Sequence, residues 1–180
     1  MKRRPKVVVL ATGGTIAGKG KPGDVAGYRP GAISIHSLTQ SISGLGEIAD
    51  IEEIQVSNIN SDDITSSLWL RLAGLINTLS LRDDIDGFVI THGTDTMEET
   101  AFFLHLVVKT EKPVVVTGAM RPSTATSADG PMNLYQSIVV ASSREARGKG
   151  VVCVFSDSIY CARDFQKLST TSVTAFGGRD

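Results

Sequence analysis

The stretch VVVLATGGTIAG, residues 7–18, decides the fold class. Residues 7–11 are continuously apolar and run into the glycine pair 13–14, a pattern typical of a buried strand that ends in a sharp turn. Short runs rich in β-branched residues recur along the chain, at 51–56, 86–91, 113–118 and 150–155. Runs that are apolar throughout, rather than alternating, indicate strands covered on both faces of a sheet.

Helical patterns separate most of these predicted strands. Residues 64–79 and 96–109 carry apolar side chains at three- and four-residue intervals, and Thr96 with Glu99 predicts a capping box at the start of the second helix. A third helix is predicted from residues 129–141. Alternating strands and helices predict a doubly wound, mostly parallel α/β sheet with helices on both faces, formed by residues 1–180 as one domain.

Composition excludes several classes of function. The chain has 18 basic and 19 acidic side chains, so its charge does not favour a nucleic acid or a membrane surface as partner. No apolar run is long enough for a spanning helix, and the start of the chain lacks the pattern of a secretory signal. Cys153 and Cys161 fit neither a redox nor a zinc spacing, so we expect free thiols, and we expect no metal or cofactor.

Polar turns follow three of the predicted strands. Residues 12–18, 92–96 and 118–130 are dense in Gly, Thr, Ser and Asp. Ligands of an open parallel sheet bind at the carboxyl ends of its strands, where helix starts offer N–H groups to a carboxylate or an oxyanion. Nucleotide binding is a lesser alternative, because Gly13 and Gly14 are adjacent and form neither G-x-G-x-x-G nor a P-loop.

A hydroxyl nucleophile in these turns needs a proton acceptor. The candidates are Tyr28, Asp95 and Lys167. Tyr28 is the one aromatic residue of the glycine-rich segment 18–31, which we expect to be a mobile loop. Lys167 follows the fifth strand and is expected near the carboxyl edge of the sheet. His92 lies in a turn and is a further alternative for acid–base work, although a lone histidine is more often structural.

Three segments together resemble the bacterial L-asparaginase family, in particular its type II branch. They read ATGGTIAG at 11–18, ITHGTDTMEETAFFL at 90–104 and GAMRPSTATSADGPMNLY at 118–135. The resemblance implies hydrolysis of L-asparagine to L-aspartate and ammonia through an acyl-enzyme, with some L-glutamine hydrolysis as an open question. It also implies a homotetramer built from dimers and a periplasmic location, although the residues present suit the cytoplasm equally.

The resemblance assigns catalytic roles to five residues. Thr15 is the implied nucleophile, and Tyr28 lies on the flexible loop beside it. Thr94, Asp95 and Lys167 are implied to form a triad analogous in logic to Ser-His-Asp. Taken one at a time, threonines in turns and a surface lysine have ordinary structural interpretations, whereas together at strand ends of one sheet they favour a site.

Substrate contacts follow from the charges of a free amino acid. Asp95 suits the ammonium group, and Ser61, at the start of a predicted helix, suits the carboxylate. The N–H groups of Gly14 and Thr94 are candidate oxyanion donors. Asp62 stands where the family usually has Gln or Glu, which leaves the preference between asparagine and glutamine open.

The chain differs from the family in length. Family members continue into a smaller carboxyl-terminal domain, which completes the active site of a neighbouring subunit. We therefore expect the 180 residues alone to retain most groups that contact the substrate but to show weak or no turnover. Two alternatives remain at this point, a non-catalytic aspartate- or asparagine-binding module and the asparaginase-like subunit of a transfer-RNA amidotransferase.

Overall fold

The structure, a computed structural model, describes residues 3–178. Its strands are β1 (Lys6–Gly13), β2 (Asp50–Ile59), β3 (Gly87–Thr91), β4 (Val114–Thr117), β5 (Val151–Phe155), β6 (Ser158–Cys161), β7 (Gln166–Lys167) and β8 (Phe176–Gly177). Six of them form one sheet in the order β2-β1-β3-β4-β5-β6, and the two short strands β7 and β8 pair apart from it. The neighbours from β2 to β5 are parallel, and β6 is antiparallel to β5.

Helices cover both faces of the sheet, as predicted. They are α1 (Ile35–Gln40), α2 (Leu45–Ile48), α3 (Ser66–Leu79), α4 (Met97–Val107) and α5 (Gly130–Ser142). Residues of α3 and α4 belong to one apolar core, and residues of α1, α2 and α5 belong to a second core on the other face. The chain is therefore a three-layer, doubly wound α/β domain.

The apolar run of β1 is explained by these two cores. Val8 and Leu10 lie in the core with α3 and α4, whereas Val7 and Val9 lie in the core with α5. All four side chains are fully buried, because successive residues of a strand point to opposite faces and both faces are covered. The edge strand β2 is mostly half-buried, so continuous burial holds only for the inner strands.

The starts of the three predicted helices differ in outcome. The helix predicted from residue 64 begins at Ser66, because the Thr65 hydroxyl accepts a hydrogen bond from the Leu68 N–H. The helix with Pro131 in its first turn begins at Gly130, as expected. The capping box at Thr96 is wrong, because the Thr96 hydroxyl donates to the Ser61 carbonyl at 2.7 Å and caps no helical N–H.

The last described segment folds back toward the carboxyl ends of the strands. β7 pairs antiparallel with β8, and the rings of Phe165 and Phe176 stack with centroids 4.2 Å apart. This small hairpin places Lys167 beside the turn that follows β3. Cys153 and Cys161 are free thiols, as predicted. Among residues 3–178, no helix has the length and apolar character needed to cross a bilayer.

Candidate active site

The turns after β1, β2 and β3 meet at one point. Strand order reverses between β1 and β3, which is the position where open parallel sheets bind ligands. Gly14, at φ +74°, packs so closely on Gly93 that an added Cβ would lie 2.4 Å from the Gly93 Cα. An added Cβ on Gly93 would lie 2.6 Å from the Ser61 Oγ. Because positions 14 and 93 are glycines, the three turns can pack directly against one another.

Replacing Gly14 by alanine is expected to lower the free energy of unfolding by about 3 kcal/mol, since left-handed strain adds to steric overlap. Gly27 is a matched control, because it also has positive φ, +67°, but an added Cβ there meets no atom within 4 Å. Gly27→Ala should cost about 1 kcal/mol, from strain alone. Urea unfolding measures both, and equal losses would contradict the close packing of Gly14 on Gly93.

Thr15 begins a short 3-10 turn, Thr15–Ala17, directly after the glycine pair. Its Oγ1 lies 2.7 Å from the hydroxyl oxygen of Tyr28. Room for the tyrosine ring comes from Gly18, where an added Cβ would lie 2.8 Å from the Tyr28 Cδ2. The structure thus brings together two residues that are 13 positions apart in the sequence.

The segment 18–31, the predicted mobile loop, lies against residues 123–125. Its two arms are joined by backbone hydrogen bonds between Lys19 and Arg29 in both directions. Gly20 donates to the Thr124 hydroxyl at 2.9 Å, and Gly23 donates to the Thr124 carbonyl at 2.9 Å. These bonds hold the segment over the site in a closed arrangement, and its mobility stays a prediction.

Lys167 joins the second pair of predicted residues. Its Nζ lies 2.9 Å from the Thr94 Oγ1 and 2.6 Å from the Asp95 Oδ1. The lysine side chain is 16% exposed, and the aspartate side chain is 57% exposed. The amine is therefore shielded next to a hydroxyl, while the carboxylate faces the open side, where it can meet a cationic group.

Glu98 supports this arrangement and was missed by sequence reasoning. Its carboxylate accepts a hydrogen bond from the backbone N–H of Lys167. The only signal in the sequence is its position in the first turn of the helix that follows HGTDT, where acidic residues are common because of the helix dipole. A structural contact between residues so far apart in the chain leaves no local pattern.

Ser61 is buried and tied to the turn after β3. Its Oγ accepts from the Asp95 N–H at 3.1 Å, which leaves the hydroxyl proton for another acceptor. Ser61 starts a 3-10 turn, Ser61–Asp63, and not the long helix expected there, so the predicted contribution of a helix dipole is wrong. Asp62 is exposed and makes no hydrogen bond or ion pair to the described residues, so its role in binding stays a prediction.

The two predicted oxyanion donors differ. The Gly14 N–H donates to the Ile59 carbonyl at 2.9 Å, so this N–H is not available, and the prediction is wrong for this donor. The cause is the pairing of the turn with the end of β2, where Gly13 stands opposite Ile59 after a register shift. The Thr94 N–H has no hydrogen-bond acceptor among residues 3–178 and is free to bind a ligand oxygen.

His92 lies beneath the turn and not in it. Its side chain is 1% exposed, with Nδ1 2.7 Å from the Gly93 carbonyl oxygen and Nε2 2.9 Å from the Thr100 Oγ1. Burial lowers the pKa of His92 to about 4, so the ring is neutral at pH 7. Because both ring nitrogens are engaged inside the core, the alternative of direct acid–base catalysis by His92 is not supported.

The buried imidazole makes stability pH-dependent. Its folded pKa of about 4 is below the usual 6.5, so the unfolded chain binds the proton more readily, and stability falls as pH decreases from 6.5 toward 4. We expect a loss of about 3 kcal/mol over this range that His92→Asn lacks. Urea unfolding of both proteins at several pH values measures the difference, and parallel pH profiles would contradict a neutral buried histidine.

Comparisons with known proteins agree with this geometry. The family model described as "Asparaginase, N-terminal" matches residues 6–180. The chain is 49% identical to a probable periplasmic L-asparaginase of Haemophilus influenzae, over 96% of this chain and 49% of that protein. It is also 49% identical to a glutaminase-asparaginase of Acinetobacter glutaminasificans, over 94% of this chain and 52% of that protein.

A solved structure shares the fold. The crystal structure of a probable cytoplasmic L-asparaginase from Campylobacter jejuni superposes with a TM-score of 0.95 at 46% identity, over 97% of this chain and 54% of that one. The chain thus spans about half the length of the relatives that it matches. By its family model, its identities and its fold, the chain belongs to the asparaginase family and carries the family's N-terminal domain.

Proposed function

We propose that the protein containing this chain hydrolyses the side-chain amide of L-asparagine to L-aspartate and ammonia, through an ester on Thr15. The observation that carries the proposal is that Thr15 and Thr94 lie on abutting turns, Thr15 bonded to the Tyr28 hydroxyl and Thr94 to the Lys167 amine. Two relatives, each 49% identical to this chain, are named as a probable L-asparaginase and a glutaminase-asparaginase, and these names support the same reaction.

In the first step, the Thr15 Oγ forms a bond to the amide carbon and the C–N bond breaks. The proton of the hydroxyl ends on the departing nitrogen, which leaves as ammonia. Tyr28, hydrogen-bonded to the Thr15 hydroxyl, orients it and relays this proton. The Thr94 N–H is the proposed donor to the oxygen that becomes negative in the tetrahedral intermediate.

In the second step, water attacks the ester carbon and the bond to Thr15 breaks. The proton lost by the water returns to the Thr15 oxygen, so the enzyme is regenerated. On this route the Thr94 hydroxyl takes up the proton of the water as its own proton passes to the Lys167 amine, 2.9 Å away and in its neutral form, and the amine gives a proton back through Thr94 when the Thr15 oxygen is protonated. The Asp95 carboxylate holds the amine in place at 2.6 Å.

The substrate is proposed to be held by its charged groups. The exposed Asp95 carboxylate binds the ammonium, and the Ser61 hydroxyl donates to the carboxylate. Asp62 adds a negative charge at the rim. Its side chain is one methylene shorter than that of a glutamate and therefore reaches less far. Some hydrolysis of L-glutamine is part of the proposal, since one relative is named for both substrates.

Ammonia release from L-asparagine and L-glutamine by the complete protein tests this function. The expected result is turnover of asparagine, with lower turnover by the 180-residue chain alone. Thermal stabilisation of the complete protein by L-aspartate and L-asparagine, without any ammonia, would instead establish a non-catalytic binding module. No stabilisation and no ammonia would contradict the site itself.

The proposal includes opening and closing of the segment 18–31. Glycines at 18, 20, 23, 27 and 31 and the exposed Val25 leave it with little burial to hold it closed. Amide hydrogen exchange in residues 19–27 should slow when L-aspartate is added.

A homo-oligomer and a periplasmic location complete the proposal. Phe102 and Leu106 form an exposed apolar stripe on α4, of the kind that a second subunit covers. The periplasmic location rests on the name of the Haemophilus influenzae relative, whereas the Campylobacter jejuni relative is named as cytoplasmic. Light scattering and cell fractionation measure the two properties.

A further inference from the structure

A chain of three hydrogen bonds, two of them buried and one partly buried, leads from α3 to the turn that holds Thr94. The indole Nε1 of Trp69 lies 2.8 Å from the Thr100 Oγ1, and this Oγ1 lies 2.9 Å from the His92 Nε2. The His92 Nδ1 lies 2.7 Å from the Gly93 carbonyl oxygen. Thr100 and His92 are buried, and Trp69 stacks on Phe103 with ring centroids 5.3 Å apart.

The groups at the two ends of this chain of hydrogen bonds determine which atom donates the proton in each bond. An indole N–H only donates, so the Thr100 oxygen accepts from Trp69, and its own proton is free to be donated. A carbonyl only accepts, so the His92 Nδ1 must carry the proton that it shares with Gly93. The His92 Nε2 then accepts from the Thr100 hydroxyl, which satisfies every member of the chain.

The carbonyl held by His92 belongs to the peptide that supplies the Thr94 N–H. In a trans peptide the C=O and the N–H point in opposite directions. With the Gly93 carbonyl held against the buried ring, the Thr94 N–H faces away from it, where no residue among 3–178 accepts it. Gly93 is at the same time enclosed between Gly14 and Ser61, so its peptide plane has little freedom to rotate.

We infer that His92 is a positioning residue, held by Thr100 and Trp69, which orients the Gly93–Thr94 peptide so that the Thr94 N–H points into the active site. The inference rests on the proposed function, because the N–H matters only if an oxyanion forms there. It identifies residues outside the site that set its geometry.

Two substitutions of His92 test its contact with Gly93 and its contact with Thr100 separately. His92→Asn places an amide N–H near the position of Nδ1 and can still donate to Gly93, but it cannot reach Thr100. His92→Gln places its amide near the position of Nε2 and can reach Thr100, but it lacks the donor to Gly93. Both remove the imidazole, and they differ by one methylene group and in the contact that the inference depends on.

In the complete protein, His92→Gln is expected to lower kcat about 100-fold with little change in KM, the usual effect of losing an oxyanion donor. His92→Asn should stay within about tenfold of the unchanged protein. Equal losses of kcat in the two variants, or a loss confined to KM, would overturn the inference. Thr100→Ser and Thr100→Val provide a second pair, in which only the valine variant should lose kcat, because the His92 Nε2 then has no donor that keeps the ring proton on Nδ1.

A measurement without turnover keeps this test apart from the test of function. Nitrogen-15 NMR of the 180-residue chain should show a neutral His92 with the proton on Nδ1, unchanged between about pH 8 and about pH 5.5. The Thr94 amide signal should shift further in His92→Gln than in His92→Asn. The opposite tautomer, or equal shifts of the Thr94 signal, would overturn the positioning role even if the protein hydrolyses asparagine.

Discussion

Thr15→Ala is expected to lower kcat for asparagine hydrolysis in the complete protein by about four orders of magnitude, because it removes the atom that we propose to form the ester. The hydroxyl that Tyr28 contacts at 2.7 Å is that of Thr15, so the alanine variant has no nucleophile at this position. Steady-state ammonia release measures the loss. KM should change much less than kcat, because the hydroxyl is proposed to act mainly during bond formation.

Thr12 provides the matched control for this substitution. It lies on the other side of the glycine pair, is buried, and donates to the Thr91 carbonyl at 3.0 Å. Thr12→Ala should therefore cost about 1 kcal/mol of stability and leave kcat within a few-fold. Thr15→Ser should retain measurable turnover because it keeps a hydroxyl. A Thr15→Ala protein that still works at a tenth or more of the original rate would contradict the assignment.

Lys167→Met is expected to lower kcat by about 10²–10⁴-fold, which is the usual range for the loss of an acid–base group. Lys167 contacts the Thr94 hydroxyl and the Asp95 carboxylate together, so its removal takes away the amine that we propose as the proton acceptor of Thr94. The side chain of methionine fills most of the space of the lysine stem. Stability, measured by urea unfolding, should change much less than kcat.

Lys167→Arg separates proton transfer from charge. Arginine keeps the positive charge next to Asp95 but stays protonated at any pH used for assay. If Lys167 accepts a proton from Thr94, the arginine variant should be nearly as slow as the methionine variant. Recovery of kcat to within tenfold of the original by arginine would show that only the charge matters, and would contradict the proposed role.

The sequence predicted those parts of the fold and site that have local signals. The apolar run of β1 and the polar turns after β1 and β3 predicted a parallel sheet with Thr15 and Thr94 at its carboxyl edge. Parallel neighbours end at the same edge, so residues far apart in the chain become close without any further information. The resemblance to the family then assigned roles to Tyr28 and Lys167, and the structure brings each to its expected partner.

What the sequence could not predict depends on contacts between distant segments. The Gly14 N–H is taken by Ile59 only because β2 shifts register at its end. The Thr96 hydroxyl binds Ser61 across two turns and so does not cap its helix, although the local pattern is that of a capping box. His92 is recognisable as a positioning residue only when Thr100 is seen on its far side.

The proposed reaction depends on acylation of Thr15, on the turn after β1, by the substrate. Peptide mapping by mass spectrometry, after acid quenching of the complete protein during turnover of L-asparagine, detects this acylation. An aspartyl ester is expected on the peptide that contains Thr15. An ester found on Thr94 instead, or turnover that continues with no ester on either threonine, would contradict it.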